Sequence, residues 1–205
     1  MHADELTEAL WPGVDPATGR NRLKNLLSRL RAAVDDVLVR DEQTVMLATG
    51  SSSDAVMFEA EGARALKARS RGDLLQAAAL ARSAVDRYRG DLLPADRYKA
   101  WAAEPRERLR LLYLELLDLL ALRAQATGDV DEAARLVKRA IDAEPYDEER
   151  YVRLAGLFTS QGRVGSARAV LRRARAMLDD LGLPASGGLR VAERAAGESG
   201  PGPGP

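Results

Sequence analysis

Two stretches in the second half of the chain repeat one another. Residues 120–140 read LALRAQATGDVDEAARLVKRA, and residues 154–174 read LAGLFTSQGRVGSARAVLRRA. Small and apolar residues recur 34 residues apart, at Leu120 and Leu154, Ala121 and Ala155, Gly128 and Gly162, Ala133 and Ala167, Val137 and Leu171, and Ala140 and Ala174. A helix, a glycine-centred turn and a second helix, repeated at this interval, form the tetratricopeptide pattern. The sequence therefore predicts a stack of helical pairs.

The repeat extends beyond these two stretches. Upstream, Gly72, Ala77 and Ala84 hold the same relative positions as Gly128 and the two alanines that follow it, which indicates a third, weaker copy. A short helix over 189–195 is predicted to cap the other end of the stack. The segment 197–205 is rich in glycine and proline and can bury almost nothing, so it is predicted to be a disordered tail.

The composition excludes several functional classes. The 205 residues include no cysteine, which removes disulfide scaffolds, cysteine nucleophiles and thiolate metal sites. The only histidine is His2, in a terminus that we expect to be frayed, so a histidine-based dyad or metal cluster is disfavoured. We expect no cofactor and no enzymatic activity.

Charge and hydropathy set further expectations. The 31 basic and 31 acidic residues balance, so any nucleic-acid site has to be local. The start is acidic and no apolar run follows it, and no stretch of about 18 apolar residues occurs anywhere, so we expect no signal peptide and no membrane contact. A cytoplasmic location is the default expectation.

The N-terminal part predicts a helix, a turn, a second helix and a hairpin. An amphipathic helix over 4–11 places Leu6, Ala9 and Leu10 inward, and a proline and a glycine end it. Asp15 is predicted to cap a second helix over 17–34, with Pro16 at its first position. Two β-rich runs around a polar turn then predict a hairpin over 37–47.

The second helix carries the sharpest functional signal. At 100° per residue, one face is apolar, with Leu23, Leu26, Leu27, Leu30 and Val34 predicted to point inward. The opposite face, together with one hairpin residue, contains the candidate DNA contacts: Arg20, Asn21, Arg22, Lys24, Asn25, Ser28, Arg29, Arg31 and Arg40. Central amides and hydroxyls can contact base edges in the major groove, while flanking cations contact phosphates.

Each basic surface also has a simpler interpretation. The helix over 17–34 contains five basic residues and no acidic one, but many surface helices present a solvated basic face. The two interpretations of this helix are about equally favoured by the residues alone. A second cluster, Arg172, Arg173 and Arg175, is compatible with DNA or an acidic partner, although a solvated face is the favoured interpretation there.

Several motifs resemble a known family. The N-terminal motifs, Asp4 to Pro12, Arg20-Asn21-Arg22-Leu23 and Leu27-Ser28-Arg29-Leu30-Arg31, resemble the end of an OmpR-type winged-helix domain. The body resembles the bacterial transcriptional activator domain of SARP-type regulators, through Tyr88-Arg89-Gly90-Asp91-Leu92-Leu93-Pro94, Tyr98, Trp101, Arg106 to Arg110, Tyr113, Gly128-Asp129, Glu132-Ala133 and Leu181-Gly182-Leu183-Pro184.

This resemblance implies a fold and a function. The fold is mainly α, with tetratricopeptide-like repeats preceded by a truncated winged helix-turn-helix and a short hairpin. The domains are a partial winged-helix domain over 1–50 and an activator domain over 54–196. The implied protein is a cytoplasmic transcription regulator, an activator by family, that binds double-stranded DNA in the major groove and contacts RNA polymerase or a second copy through its repeats.

The resemblance is incomplete at the N-terminus. The family's winged helix starts with a small sheet and a first helix, and we expect this chain to begin after both. A unit of about 50 residues rarely stabilises itself, so the expected DNA binding is weak and strongly salt-dependent. The alternative is a helical-repeat interaction module without autonomous DNA binding.

Overall fold

The fold is mainly helical, as predicted, with a small two-stranded antiparallel sheet. The computed structural model describes residues 1–34, 38–41, 44–48 and 50–198. The chain divides into two compact units, Met1–Ser53 and Asp54–Pro205. Over the described ranges, no helix is both long enough and apolar enough to cross a membrane.

The first unit has the predicted order of elements. It consists of α1 (Ala3–Leu10), α2 (Pro16–Ala33), β1 (Leu38–Asp41) and β2 (Thr44–Leu47). The two strands pair in antiparallel register, with Leu38 opposite Leu47 and Asp41 opposite Thr44. Val37 at the start of the predicted hairpin, and Glu42 and Gln43 in its turn, lie outside the described residues.

The expectation of a frayed N-terminus is wrong. The terminal ammonium of Met1 donates to the carbonyl of Val45 at 3.2 Å, and the Val45 amide donates to the Met1 carbonyl at 3.0 Å. His2 caps α1, because its Nδ1 accepts from the Asp4 amide at 3.3 Å and its own amide donates to Glu5 at 3.1 Å. The first residues are therefore held by β2 on one side and by α1 on the other.

The core of this unit is smaller than the sequence predicts. Leu23 and Leu27 are buried with Ala3 and Val45, whereas three residues predicted to point inward are 39–45% exposed: Leu26, Leu30 and Val34. In α1, the predicted Leu6, Ala9 and Leu10 are half-buried, and Ala3 and Thr7 are the buried residues. The apolar row on α2 is thus longer than the cluster that covers it, which ends at Leu27 within the described part of the unit.

The second unit is a series of helices. They are α3 (Asp54–Ser70), α4 (Leu74–Arg87), α5 (Ala100–Ala126), α6 (Val130–Ala143), α7 (Glu148–Ser160), α8 (Val164–Asp180) and α9 (Gly187–Glu198), with a 3₁₀ turn at Pro94–Asp96 before α5. Three consecutive helical pairs, α3 with α4, α5 with α6 and α7 with α8, match the predicted copies.

The repeated glycines and alanines have clear structural roles. Gly72, Gly128 and Gly162 end the first helix of each pair with φ of +80°, +80° and +70°, a conformation that favours glycine because it lacks a Cβ. The repeated alanines and leucines are buried in one continuous core. In the first pair, a Cβ on Gly62 of α3 would lie 2.8 Å from Leu112, so glycine allows α5 to approach closely.

The last helix is longer than predicted. α9 begins at Gly187 rather than at 189 and continues to Glu198, so two residues of the predicted 197–205 tail are helical. Arg168 of α8 stabilises this end by donating to the carbonyls of Ala196 at 2.8 Å and Gly197 at 3.0 Å, and Ala196 is 2% exposed. Residues 199–205 lie outside the described range.

Candidate nucleic-acid interface

The candidate helix α2 starts with a strong cap. Asp15 Oδ1 accepts from the amides of Ala17 at 3.0 Å and Thr18 at 3.2 Å, and Pro16 occupies the first helical position. Hydrogen bonds from Thr18, first from its side chain, hold the pKa of the Asp15 carboxyl below its usual range. The carboxylate therefore remains ionised at neutral pH and satisfies amides that have no partner within the helix.

One row of residues fixes the rotation of α2. Gly19, Leu23 and Leu27 are spaced by four residues and are the buried residues of this helix. A Cβ on Gly19 would overlap the Cγ2 of Thr7 in α1, so this glycine sets how closely the two helices pack. The side of α2 opposite this row then points away from α1.

That opposite side contains the predicted contacts. Eight of the nine candidate residues lie on α2, and all eight are exposed: Arg20, Asn21, Arg22, Lys24, Asn25, Ser28, Arg29 and Arg31. The ninth, Arg40, lies in β1 opposite Val45, and its side chain is outside the described residues. The structure therefore brings eight candidates onto one accessible helix surface.

The chemistry of this surface suits an anionic partner. Asn21, Asn25 and Ser28 lie nearest its centre, and the arginines lie toward its flanks, as the helical period predicts. Among the described residues, none of the five cations on α2 forms an ion pair with an acidic side chain. The side chains on this helix surface therefore carry positive charge and no carboxylate.

Comparison with known proteins places the second unit in a family. The model of the bacterial transcriptional activator domain matches residues 53–195. The chain belongs to this family. It is also 31% identical over 193 residues to the regulatory protein AfsR of Streptomyces coelicolor, a match that covers 92% of this chain and 19% of that protein. The chain thus spans about a fifth of the length of this relative, and both matches support a family of transcriptional regulators.

A solved structure with the same fold covers both units. EmbR of Mycobacterium tuberculosis, determined in complex with a low-affinity phosphopeptide, matches with a TM-score of 0.70 at 23% identity. The match covers 98% of this chain and 55% of EmbR. At this identity the comparison concerns the fold alone, which EmbR shares over both units of this chain.

The structure also assigns packing roles to residues that the sequence analysis did not single out. Thr7 and Gly19, which set the packing of α1 on α2, were not singled out, although a glycine inside a helical pattern is a signal of close approach. Arg106 lies within a motif of the family resemblance, but its hydrogen bonds to the carbonyls of Leu92 and Leu93 in the loop before α5 depend on a tertiary arrangement that no local pattern encodes. In the described part of the chain, no group of three or more acidic, histidine or cysteine side chains is arranged to hold a metal ion.

Proposed function

We propose that this chain is part of a DNA-binding transcription regulator, without enzymatic activity, that acts in the cytoplasm. In this proposal α2 is the recognition helix of an OmpR-type winged helix and β1 and β2 form its wing. The observation that carries the proposal is the exposed surface of α2, which has five cations, no carboxylate and a buried row on its other side.

The roles on this surface follow from side-chain chemistry. Asn21, Asn25 and Ser28 have donors and acceptors that can contact base edges in the major groove. The flanking arginines and Lys24 are suited to phosphates, which orient the helix on the duplex. The helical repeats contribute protein contacts, with RNA polymerase or with a second copy of the chain.

The test is the salt dependence of DNA binding. Fluorescence anisotropy with labelled duplex DNA is measured between about 50 and 200 mM salt, because each phosphate contact contributes about 0.9 to the slope of log affinity against log salt. Replacing Arg22, Lys24 and Arg29 by alanine is expected to weaken binding and to reduce the slope by about 2–3.

A matched variant controls for net charge. Replacing Arg71, Arg89 and Arg194, three exposed arginines of the second unit, removes the same charge and is expected to leave the slope almost unchanged. If the α2 variant also leaves the slope unchanged, this face does not contact phosphates.

One observation favours a second candidate function. Leu26, Leu30 and Val34 are partly exposed, so the first unit presents uncovered apolar surface next to the proposed recognition face. Such a unit has a small core, and the family match begins only at residue 53. The second candidate is a helical-repeat interaction module without autonomous DNA binding. It is favoured if the wild-type chain fails to bind duplex DNA at every salt concentration in this series.

A further inference from the structure

An ion pair connects the second helices of the first two repeats. Arg82 of α4 donates to the Glu132 carboxylate of α6 at 2.7 Å, and Glu132 is largely buried beneath this contact, with 15% of its side chain exposed. Arg135, one turn along α6, also pairs with Glu132, at 3.0 Å. The carboxylate therefore lies between two cations, one on α4 and one on α6.

The same sequence positions recur one repeat later, on α6 and α8, without the carboxylate. Measured from the turn glycines, Lys138 of α6 occupies the position of Arg82, and Ser166 of α8 occupies the position of Glu132. Beside these positions, Arg173 of α8 lies over the Tyr151 ring of α7 at 5.7 Å.

The result is an open groove between α6 and α8. Its cavity measures about 270 Å³, and its walls include Lys138, Ser166 and Arg173. Both cations are exposed, and within the described residues neither forms an ion pair. No carboxylate lines the groove, although the exposed Asp142 follows the wall residue Ile141 and offsets part of the local charge.

The floor of the groove is apolar. It is formed by residues of α7, namely Tyr151, Leu154 and Phe158, with Ile141 of α6 beside them. A phosphate chain gains little from such a floor, whereas an apolar side chain next to a carboxylate matches both the floor and the walls. The groove therefore favours an acidic protein segment over a nucleic acid.

We propose that the groove between α6 and α8 binds an acidic segment of a partner protein. One carboxylate of that segment lies between Lys138 and Arg173, above Ser166, where Glu132 lies in the preceding repeat. A neighbouring apolar side chain packs on the floor. This inference deepens, and rests on, the proposed role of the repeats in protein contacts.

The experiment begins with selection of peptides on the full chain. A phage-displayed library of random 12-residue peptides is selected against the immobilised protein, and the enriched peptides are synthesised with a fluorescent label. We expect them to contain aspartate or glutamate next to leucine, phenylalanine or methionine. We also expect their affinity to fall as salt increases, because the carboxylate contact is at the rim of the groove.

Two variants at one position then test the site. Ser166→Glu supplies the missing carboxylate within the chain, so it is expected to pair with Lys138 and to reduce peptide affinity about tenfold or more. Ser166→Gln has nearly the same size without the charge and is expected to reduce affinity much less. Ser166 is the third residue of α8, where glutamate is favourable near a helix N-terminus, so thermal unfolding is expected to show an unchanged or raised Tm.

Each other outcome counts against the inference. Selected peptides without acidic residues, or equal binding to the wild type and Ser166→Glu, would show that the groove is not the site, while protein contact by the repeats would stand. If duplex DNA displaces the peptides from the wild type, and only variants in the groove lose DNA binding, the groove binds nucleic acid instead. A library that yields no binder counts against both the groove and the proposed protein contacts, and the DNA-binding measurements remain independent of all these outcomes.

Discussion

Nε of Arg106 donates to the carbonyl oxygen of Leu92 at 2.8 Å, which connects the first turns of α5 to the loop before it. The same guanidinium donates to the carbonyls of Leu93, Asp96 and Arg97 at 3.1–3.3 Å. Leu93 has φ of +49°, a left-handed conformation that is unfavourable for a leucine. A single side chain thus satisfies four backbone groups around a strained residue and fixes the 3₁₀ turn that follows.

Arg106→Lys is expected to loosen this loop. Lysine retains the charge, but its three donors share one nitrogen and cannot reach four separated carbonyls. We expect a loss of about 2 kcal/mol in the free energy of unfolding and faster hydrogen exchange over residues 92–99. Arg108→Lys is the control, since Arg108 pairs with Glu59 on the surface and its replacement is expected to cost less than about 1 kcal/mol. Equal effects of the two variants would contradict this role for Arg106.

The contact of Gly19 with Thr7 predicts non-additive substitutions. Gly19→Ala adds a methyl group that overlaps the Thr7 Cγ2, and we expect it to destabilise the first unit by about 1–3 kcal/mol despite the better helix propensity of alanine. Thr7→Ser removes that Cγ2, so the cost of Gly19→Ala is expected to fall in the double variant. Urea unfolding followed by Trp11 fluorescence, in a Trp101→Phe background, measures the first unit separately.

The matched control is another helical glycine. Gly156 of α7 has open space around it, so Gly156→Ala is expected to be neutral or stabilising by up to about 1 kcal/mol, with unfolding of the second unit followed by far-ultraviolet circular dichroism. Additive effects of Thr7→Ser and Gly19→Ala would show that the two helices do not depend on this close approach.

The sequence predicted periodic features better than contacts between distant residues. The 34-residue pattern located the helical pairs because Gly128 and Gly162 need positive φ, and this requirement is local. The row on α2 predicted Leu23 and Leu27 correctly but not Leu30, because burial depends on how far the neighbouring elements extend. The pairing of Met1 with Val45 joins residues far apart in the chain, and no local pattern encodes it.

The exposed face of α2 could likewise be predicted from a local pattern, whereas contacts between distant helices could not. The helical period placed eight residues on one exposed face, since exposure there follows from the burial of the opposite row. No local pattern identifies Ser166 as the position of a missing carboxylate, because that assignment depends on the pairing of Arg82 with Glu132 across two helices. An ion pair between repeats depends on the superhelix, which the repeat pattern alone does not specify.

The Glu61 carboxylate is expected to make the free energy of unfolding depend on pH. Arg87 Nε donates to Glu61 Oε2 at 3.1 Å and Ser83 Oγ donates to the same oxygen at 2.9 Å, which connects α3 to α4. These bonds, that of Arg87 foremost, hold the pKa of Glu61 below its usual 4.5. The pKa of Glu61 is therefore lower in the folded protein than in the unfolded chain. The ionised carboxylate stabilises the fold fully at pH values above the unfolded-chain pKa, and this stabilisation is lost as the pH falls through the folded-state pKa.

Glu61→Gln is therefore expected to destabilise the protein at neutral pH by about 1–2 kcal/mol. The difference from the wild type should shrink when urea unfolding is repeated at successively lower pH, below the usual pKa of 4.5. Glu104→Gln, an exposed change of the same kind in α5, is expected to have little effect at any pH. A difference for Glu61→Gln that stays constant through the acid range would mean that the carboxylate charge does not contribute.

The arrangement on α2 predicts that two neighbouring substitutions have different effects on DNA binding. Asn25 lies near the centre of the exposed face, where an amide can form a bidentate contact with a base, and Arg29 lies toward the flank. Asn25→Ala is expected to reduce discrimination at one base pair by about 1–3 kcal/mol and to leave the salt slope unchanged. Arg29→Ala is expected to weaken binding to all sequences and to reduce the slope by about 1.

Selection of binding sites from a random duplex library, followed by salt titration of the selected duplexes, measures both quantities on each variant. Comparing the two variants is informative because a loss of folding would lower the affinity of both, and would not change base preference in one and the salt slope in the other. If Asn25→Ala changes the salt slope and retains the preferred sequence, the centre of the face contacts backbone rather than bases. In that case α2 is rotated on the duplex relative to the proposed orientation, and the arginines at the flanks become the candidates for base contact.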